Sequence, residues 1–381
     1  MRSIQCIYKY KPGQGCRGNY MTKKEKYLYK ELKELVASFP PRTKILTVRE
    51  MMRKYSISQC IIDRVLRKLR EEKLIVSFVG DGMYTTGGED ILTLEKRKKV
   101  AIVVPDYPSS HTNMVTECLK KQAALEDFAF KVVYVHDETS LKESMKSAGF
   151  DAAVILPKKM PVDKEDIMFI KSLNVPVVIL ELNTEVINID SVGTDNEYCG
   201  AIAANHLINL GHRRIAVLNA EPVVPVSQSR ITGFLKQARL SGIEDALLLD
   251  CNTKPGENAA VKAYEKMKWI IEGRKLDFTG LFIDSDGSAL GVKKLLREKG
   301  IAVPAQFSIV GCDNIPESSF FSPPLTTVDK NVDKWAVHAF EVIKRRLNGD
   351  RSDAKHINIV PELIKRDSTA VVHDAGKIRR K

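Results

Sequence analysis

One arginine, several carboxylates and amides, and few aromatic rings follow a series of short apolar runs in this sequence. VAIVVP (100–105) leads into Asp106, Tyr107 and His111, and AAVILP (152–157) into Lys158. PVVIL is followed by Glu181 and Asn183, and IAVLNA (215–220) by a loop to Ser227-Gln228-Ser229-Arg230. GLFI leads into Asp284-Ser285-Asp286, and FSIVG into Asp313 and Asn314. A carboxylate accepts two O–H groups and a guanidinium donates as a fork. Such a set suits the paired hydroxyls of a polyhydroxylated small molecule. The rival chemistry is hydrolysis of a sugar or nucleotide, with Asp284 and Asp286 as a carboxylate pair. Those two are free to point to opposite sides, and no phosphate loop or nucleophile–base constellation accompanies them. Neither a metal nor a cofactor is expected. The seven cysteines form no C-x-x-C pair, the seven histidines show no H-E-x-x-H spacing, and most cysteines should be reduced and buried.

The elements that must carry these residues are short β-branched strands alternating with helical patterns from residue 99 onward. Besides the runs quoted above, VVYV (132–135) and ALLLD (246–250) read as strands. Continuous apolar strands between helices imply a parallel, doubly wound α/β sheet, which binds ligands beyond the carboxyl ends of its strands. Eight or more strands over about 270 residues suit two sheets better than one.

Charge separates the rest of the chain from this body. Residues 1–99 hold 23 Lys and Arg against 11 Asp and Glu, a net +12, whereas residues 100–381 hold 37 of each. A basic module on a neutral body points to a phosphate backbone as the module's partner. No run approaches the roughly 18–20 apolar residues that span a bilayer, so no membrane partner is expected. The N-terminus lacks an apolar core with a small-residue cleavage site, which makes the expected location cytoplasmic.

Within the module, Leu28, Leu32, Leu35 and Val36 share one helix face, and Phe39-Pro40-Pro41 ends that helix. Thr47 and Glu50 have capping-box spacing, so a short second helix starts at Val48. Ser58 caps a third, whose buried stripe is Ile62, Val65, Leu66 and Leu69. The three residues between the short helices give helix-turn-helix spacing. LIVSFVGDGMYTT then folds back at Gly80-Asp81-Gly82 as a hairpin, completing a winged helix-turn-helix.

Residues 22–87 resemble the GntR family of winged-helix transcription factors through Arg49-Glu50, Ser58, Leu66-x-x-Leu69 and Gly80-x-Gly82. Gln59 and Asp63 stand where that family usually has arginines, and Leu46 replaces a usual proline. The resemblance implies that double-stranded operator DNA is contacted by Arg49, Ser58, Gln59, Arg64, Gly80 and Gly82. Gln59 suits an adenine edge.

Residues 99–370 resemble the effector domain of the LacI/GalR repressors, a periplasmic-binding-protein-like fold. The resemblance rests on VGTDNEYCGAIAANHLINLGHRRIAVL (192–218), SRITGF (229–234), GLFIDSDGSALG (280–291), VPAQFSIVGCDNIP (303–316) and PPLTTV (323–328). Ser285 departs from an asparagine usual there. The resemblance implies ligand contacts from Arg230, Asp286 and Asp313, with Tyr107, His111 and Glu181 as further contacts. Asp195-Asn196 reads as a helix cap and His212 as structural.

The implied organisation is an extension (1–21), a winged helix (22–87), a linker (88–98), an effector domain (99–372) and a basic tail (373–381). The effector domain's lobes interleave, about 100–191 plus 328–350 and about 194–326 plus 353–370. Crossings near 192, 327 and 351 form their hinge. The combination resembles arabinose-repressor-type regulators. It implies a homodimeric repressor whose effector is a monosaccharide or a derivative of one. A sugar-binding protein with an incidental basic head is the alternative.

Overall fold

The computed structural model describes residues 22–372, apart from 42, 79–81, 87–96, 107–108, 137, 147–148, 159–161, 183–186, 223, 255 and 274–275. Tyr107 and Gly80, and the expected extension, linker and tail, therefore lie wholly or largely outside the described residues. The chain divides into two compact units, 1–97 and 98–381.

In the first unit, α1 (Lys23–Ser38), β1 (Lys44–Ile45), α2 (Val48–Tyr55) and α3 (Gln59–Glu71) precede β2 (Ile75–Phe78) and β3 (Gly82–Thr85). The three strands pair antiparallel in the order β1-β3-β2. Local chemistry sets the helix starts. Thr22 with Glu25, and Thr47 with Glu50, form reciprocal capping boxes that satisfy otherwise orphaned N–H groups. Ser58 takes the N-cap position of α3, but its hydroxyl makes no capping hydrogen bond. The turn between α2 and α3 passes through Ser56, in the left-handed region at φ 50°. Ile62, Val65, Leu66 and Leu69 are fully buried against Leu28, Leu32, Val36, Met51, Ile45, Ile75 and Met83. At about 1.5–3 kcal/mol for each large apolar side chain buried, this cluster holds the three helices on the sheet.

The second unit holds two six-stranded sheets. Its elements are β4 (Lys99–Pro105), α4 (Ser110–Leu125), β5 (Ala129–Val135), α5 (Leu141–Met145), β6 (Ala152–Ile155), α6 (Lys164–Ser172), β7 (Val177–Leu180) and β8 (Asp190–Thr194). Then come α7 (Asn196–Asn209), β9 (Ile215–Asn219), α8 (Pro225–Leu240), β10 (Leu247–Asp250), α9 (Ala259–Glu272), β11 (Gly280–Ile283), α10 (Asp286–Glu298) and β12 (Ser308–Cys312). The unit ends with β13 (Thr326–Asp329), α11 (Val332–Leu347), β14 (His356–Ile359) and β15 (Glu362–Ile364).

The first lobe's sheet, β14-β8-β7-β6-β4-β5, is parallel throughout. The second, β10-β9-β11-β12-β13-β15, is parallel except for its antiparallel edge strand β15. Alternation along β4 shows why its run is continuously apolar. Val100, Ile102 and Val104 enter the cluster with α4 and α11, while Ala101 and Val103 enter the one with α5 and α6.

Every strand read from the sequence is present, but among the described residues of the second unit four were not foreseen, β8, β13, β14 and β15, and in the first unit neither was β1. The four of the second unit are short and interrupt their apolar residues with polar ones. Their pairing moves the crossings between lobes. β8 and β14 pair with each other in the first sheet and β13 lies in the second, so the chain crosses at Asp195, at Lys330–Asn331 and at Val360–Pro361. The expected crossing near 351 was nine residues early, because β14 belongs to the first lobe. The crossings are stitched together. Asp195 N–H donates to the Ile359 carbonyl (3.0 Å), Thr194 Oγ1 to the Lys330 carbonyl (2.8 Å), and Asn331 Nδ2 to the Val360 carbonyl (2.9 Å).

The expectation that most cysteines are buried holds only for Cys199 and Cys312 among the described residues; Cys118 and Cys251 are partly covered and Cys60 is exposed, all five as free thiols. No helix among the described residues is long and apolar enough to cross a membrane.

Candidate functional site

Four charged side chains meet between the lobes. Glu181 stands just beyond β7 in the first lobe, and Arg230 in α8 and Asp313 beyond β12 in the second. Lys330 is in a crossing. All are nearly sealed: Arg230 is 5 % exposed, Asp313 5 % and Lys330 1 %. The Lys330 ammonium lies 2.7 Å from Glu181 Oε1 and 3.0 Å from Asp313 Oδ1. The Arg230 guanidinium stands 3.6 and 3.9 Å from the same two oxygens. Two cations and two carboxylates thus compensate one another, as buried charges must.

Backbone geometry aims both carboxylates. Glu181 has φ 57° and Asp313 φ 116°, left-handed conformations that cost roughly 1–3 kcal/mol each outside glycine. β8 makes room for the Glu181 turn at Gly193, where a Cβ would approach Glu181 Cα to 3.3 Å.

Arg230 is positioned by two hydrogen bonds. Its Nε donates to Asn196 Oδ1 at the start of α7, and its Nη1 to the Asp284 carbonyl, both at 2.8 Å. α7 and α8 come close enough for this because a Cβ on Gly200 would lie 1.8 Å from the Arg230 carbonyl oxygen. One on Gly233 would lie 1.8 Å from that of Glu197.

Burial alone would raise the Glu181 carboxyl, but Lys330, His111 and Arg230 outweigh it and hold its pKa down at about 2. Burial also opposes charge on Lys330; Asp313 and Glu181 reverse that and raise its pKa. His111, early in α4, is driven toward the neutral form by burial and then by Lys330. Its Nε2 has no hydrogen-bond partner among the described residues, and its ring meets Trp335 edge-on at 5.9 Å. Trp335 in turn donates to Thr194 Oγ1 (2.9 Å) and places its ring 5.2 Å from the Lys330 ammonium. At the rim, Ser110 of the first lobe donates to Glu317 of the second (2.8 Å).

Of the residues expected here, Arg230, Asp313, Glu181 and His111 come together. Asp286 takes a different place. It is fully buried, with Oδ1 taken by the Thr327 hydroxyl (2.7 Å) and Oδ2 by the Ile315 N–H (3.1 Å). Burial, then the charge of Asp313, pushes its pKa well above the carboxylate range. Asp286 therefore braces β13 and the loop after β12, and both its acceptor oxygens are already engaged.

Asp284 faces elsewhere, accepting from the Ala220 and Glu221 N–H groups (both 3.1 Å). The two aspartates make no catalytic pair. His212 is structural, with Nδ1 2.8 Å from the Thr279 hydroxyl. Lys330 and Trp335 escaped the sequence reading, and Asn196, read there as part of a helix cap, is the acceptor for Arg230 Nε while Asp195 alone caps α7. Lys330 follows a strand end like the others, but β13 had not been counted as a strand.

In the first unit, α3 turns Gln59, Asp63 and Arg67, at i, i+4 and i+8, to solvent on the face away from its apolar stripe. Ser58 and, in α2, Arg49 are also exposed. Arg64, expected among the outward contacts, instead lies 3.0 Å from Glu25 of α1, which is only 2 % exposed. Gly82 opens β3 at φ 128°, a conformation that suits glycine in the returning hairpin.

Comparison with known proteins places this geometry. The family model described as a periplasmic binding protein-like domain matches residues 204–369. The HTH-type transcriptional repressor PurR of Vibrio cholerae is 32 % identical over 201 residues, 51 % of this chain and 57 % of that protein. The chain thus spans little more than half the length of the first curated relatives it matches. PurR of Haemophilus influenzae is 25 % identical over 342 residues, 84 % of this chain and 98 % of its own.

Among solved structures, a LacI family transcriptional regulator from Enterococcus faecium with bound ribose aligns at TM-score 0.62 and 23 % identity. It covers 72 % of this chain and all of that one. The lac repressor dimer bound to operator and the anti-inducer ONPF aligns at TM-score 0.61 and 23 % identity, covering 73 % and 96 %. The second unit therefore carries a periplasmic-binding-protein-like domain with the two-lobed α/β fold of LacI-type regulators, and the chain has PurR repressors among its sequence relatives.

Proposed function

We propose that this protein is an effector-responsive transcriptional regulator that acts as a repressor. The first unit serves as a GntR-type winged helix-turn-helix on operator DNA, and the cleft of the second takes a small sugar-like effector. The observation that carries the reading is the buried cluster. Both lobes contribute charged hydrogen-bonding groups to it, in a chain most of whose net charge lies outside that body. In this reading Glu181 and Asp313 accept from the effector's hydroxyls, Arg230 donates to its oxygens, Trp335 lines an apolar side, and His111 offers Nε2 beside it. Support for a sugar comes from the relatives solved with ribose.

Arg49, Ser58, Gln59 and the outward stripe through Arg67 would face the duplex. Arg49 and Gln59 are suited to base edges or phosphates. A homodimer would read inverted half-sites, in the manner of arabinose-repressor-type regulators. The effector must bind the DNA-competent and DNA-released arrangements with different affinity, because equal affinity transmits nothing.

The test is thermal unfolding of the full chain against monosaccharides, sugar acids and nucleosides, followed by DNA binding with and without any hit. A ligand at 100 times its dissociation constant stabilises by about 2.7 kcal/mol. The expected result is a monosaccharide hit that weakens DNA binding. A hit that is turned over, or that leaves DNA affinity unchanged, contradicts the reading.

A further inference from the structure

Lys330 contributes the cluster's closest cation from a crossing, and its ammonium lies within hydrogen-bond distance of a carboxylate from each lobe. Its backbone is fixed by Thr194, and Trp335 covers it. Glu181 and Asp313 have this ammonium as their nearest cation, whereas Arg230 stands beyond hydrogen-bond reach of both. Without Lys330 the cluster would hold two carboxylates and one cation. Two like charges from opposite lobes would then face each other across a dry gap, a cost relieved by parting the lobes and admitting water.

We propose that Lys330 is a built-in counter-ion that clasps the two lobes together and sets the charge the effector must have. The second part rests on the regulator reading above; the first does not. Because the four charges already balance, an effector that brings a net charge into the closed cleft leaves it uncompensated. A neutral polyol donates hydroxyls to Glu181 and Asp313 and accepts from Arg230 and Lys330 with the balance kept. His111 Nε2, buried and unpartnered, is a further polar group left for it. A sugar phosphate is disfavoured by the same reasoning.

The experiment is chemical rescue of Lys330→Ala in the full chain. This substitution leaves a space the shape of propylammonium. The variant should melt lower than wild type by on the order of 5–10 °C. Propylammonium should restore part of that loss in the variant and do nothing to wild type, whereas propanol, its neutral counterpart, should restore none. Effector-free small-angle scattering should show Lys330→Ala expanded relative to wild type and Lys330→Arg unchanged.

If the alanine variant does not fold, Lys330→Met is measured instead and should show the same expansion. Equal rescue by propanol, or unchanged melting and scattering in the neutral variants, overturns the clasp. None of these readouts involves DNA or effector, so a failed clasp leaves the regulator reading standing. A regulator that fails to respond on DNA leaves the clasp standing. The effector-charge half is tested by Lys330→Met in the ligand panel: an amino sugar should gain at least tenfold over its neutral parent relative to wild type. An unchanged ratio overturns that half.

Discussion

Arg67 of α3 and Arg230 of α8 are both helical arginines, yet their surroundings are opposite. Arg67 stands in solvent on a unit that carries most of the chain's net charge, beside exposed Gln59 and Asp63. Arg230 is 5 % exposed, donates to Asn196 and the Asp284 carbonyl, and shares two carboxylates with Lys330. Exposed cations hold a long polyanion at little cost in desolvation, and salt weakens them. Sealed, balanced charges recognise one small shape and are nearly blind to salt. The difference separates a surface suited to binding along a backbone from a cleft suited to sensing a molecule.

The largest expected effect comes from breaking the sealed side. Arg230→Ala leaves Glu181 and Asp313 a cation short, and should lower stability by about 3–5 kcal/mol and abolish any ligand-induced melting shift. Arg67→Ala should change stability by no more than about 0.5 kcal/mol while reducing the salt slope of DNA binding by about one. Denaturant melts and salt-titrated DNA binding of both variants check the contrast. Equal stability losses would erase it.

The next effect tests the scaffold behind Arg230. Gly233→Ala puts a Cβ where the Glu197 carbonyl lies 1.8 Å away, so α7 and α8 must part. A loss of roughly 1–3 kcal/mol or more is expected by overpacking, with effector affinity falling as Arg230 shifts from Asn196. Melting and calorimetric titration read the two parts, and retained affinity would mean that the helix contact does not position the arginine.

Arg64 sharpens the comparison within α3. Its pairing with buried Glu25 predicts that Arg64→Ala costs roughly 1–3 kcal/mol, while the variant, measured where it is folded, binds DNA as wild type does. A stable variant with lost DNA affinity would return Arg64 to the outward set.

A last effect is a pH dependence in the second lobe. Burial, then Lys365 and His212, lowers the His206 pKa to about 4 from an ordinary 6.5. The unfolded chain then binds a proton that the folded chain does not between those values. The contribution is therefore full above pH 6.5 and lost as pH falls toward 4. His206→Gln should flatten that part of the stability-against-pH curve, and an unchanged slope would assign it to other groups.

Much of this was legible in the sequence because apolar periodicity and capping chemistry are local. The α3 stripe Ile62, Val65, Leu66 and Leu69 and the Thr47–Glu50 box follow from spacing alone, as do the long apolar strands. β8 and β14 were hidden because their polar residues match the apolar pattern poorly and their pairing joins residues about 165 apart, such as Ser191 and His356. The strand-end rule named Glu181, Arg230 and Asp313, whose side chains meet between the lobes. It could not foresee that Asp286 turns toward Thr327 and Ile315, a direction set by tertiary packing. Arg64 and Arg67 differ by three positions and share a chemistry, and only the location of Glu25 separates them.

The most direct test of the two-region account is the affinity of the full chain for a duplex selected from a random pool. It would be followed across salt concentration with and without the panel's best ligand, in wild type and in Arg230→Ala. The account predicts a steep salt slope common to both proteins, and a ligand effect of at least tenfold in wild type that Arg230→Ala lacks. No salt-sensitive duplex binding, or an equal ligand effect in both proteins, would contradict it.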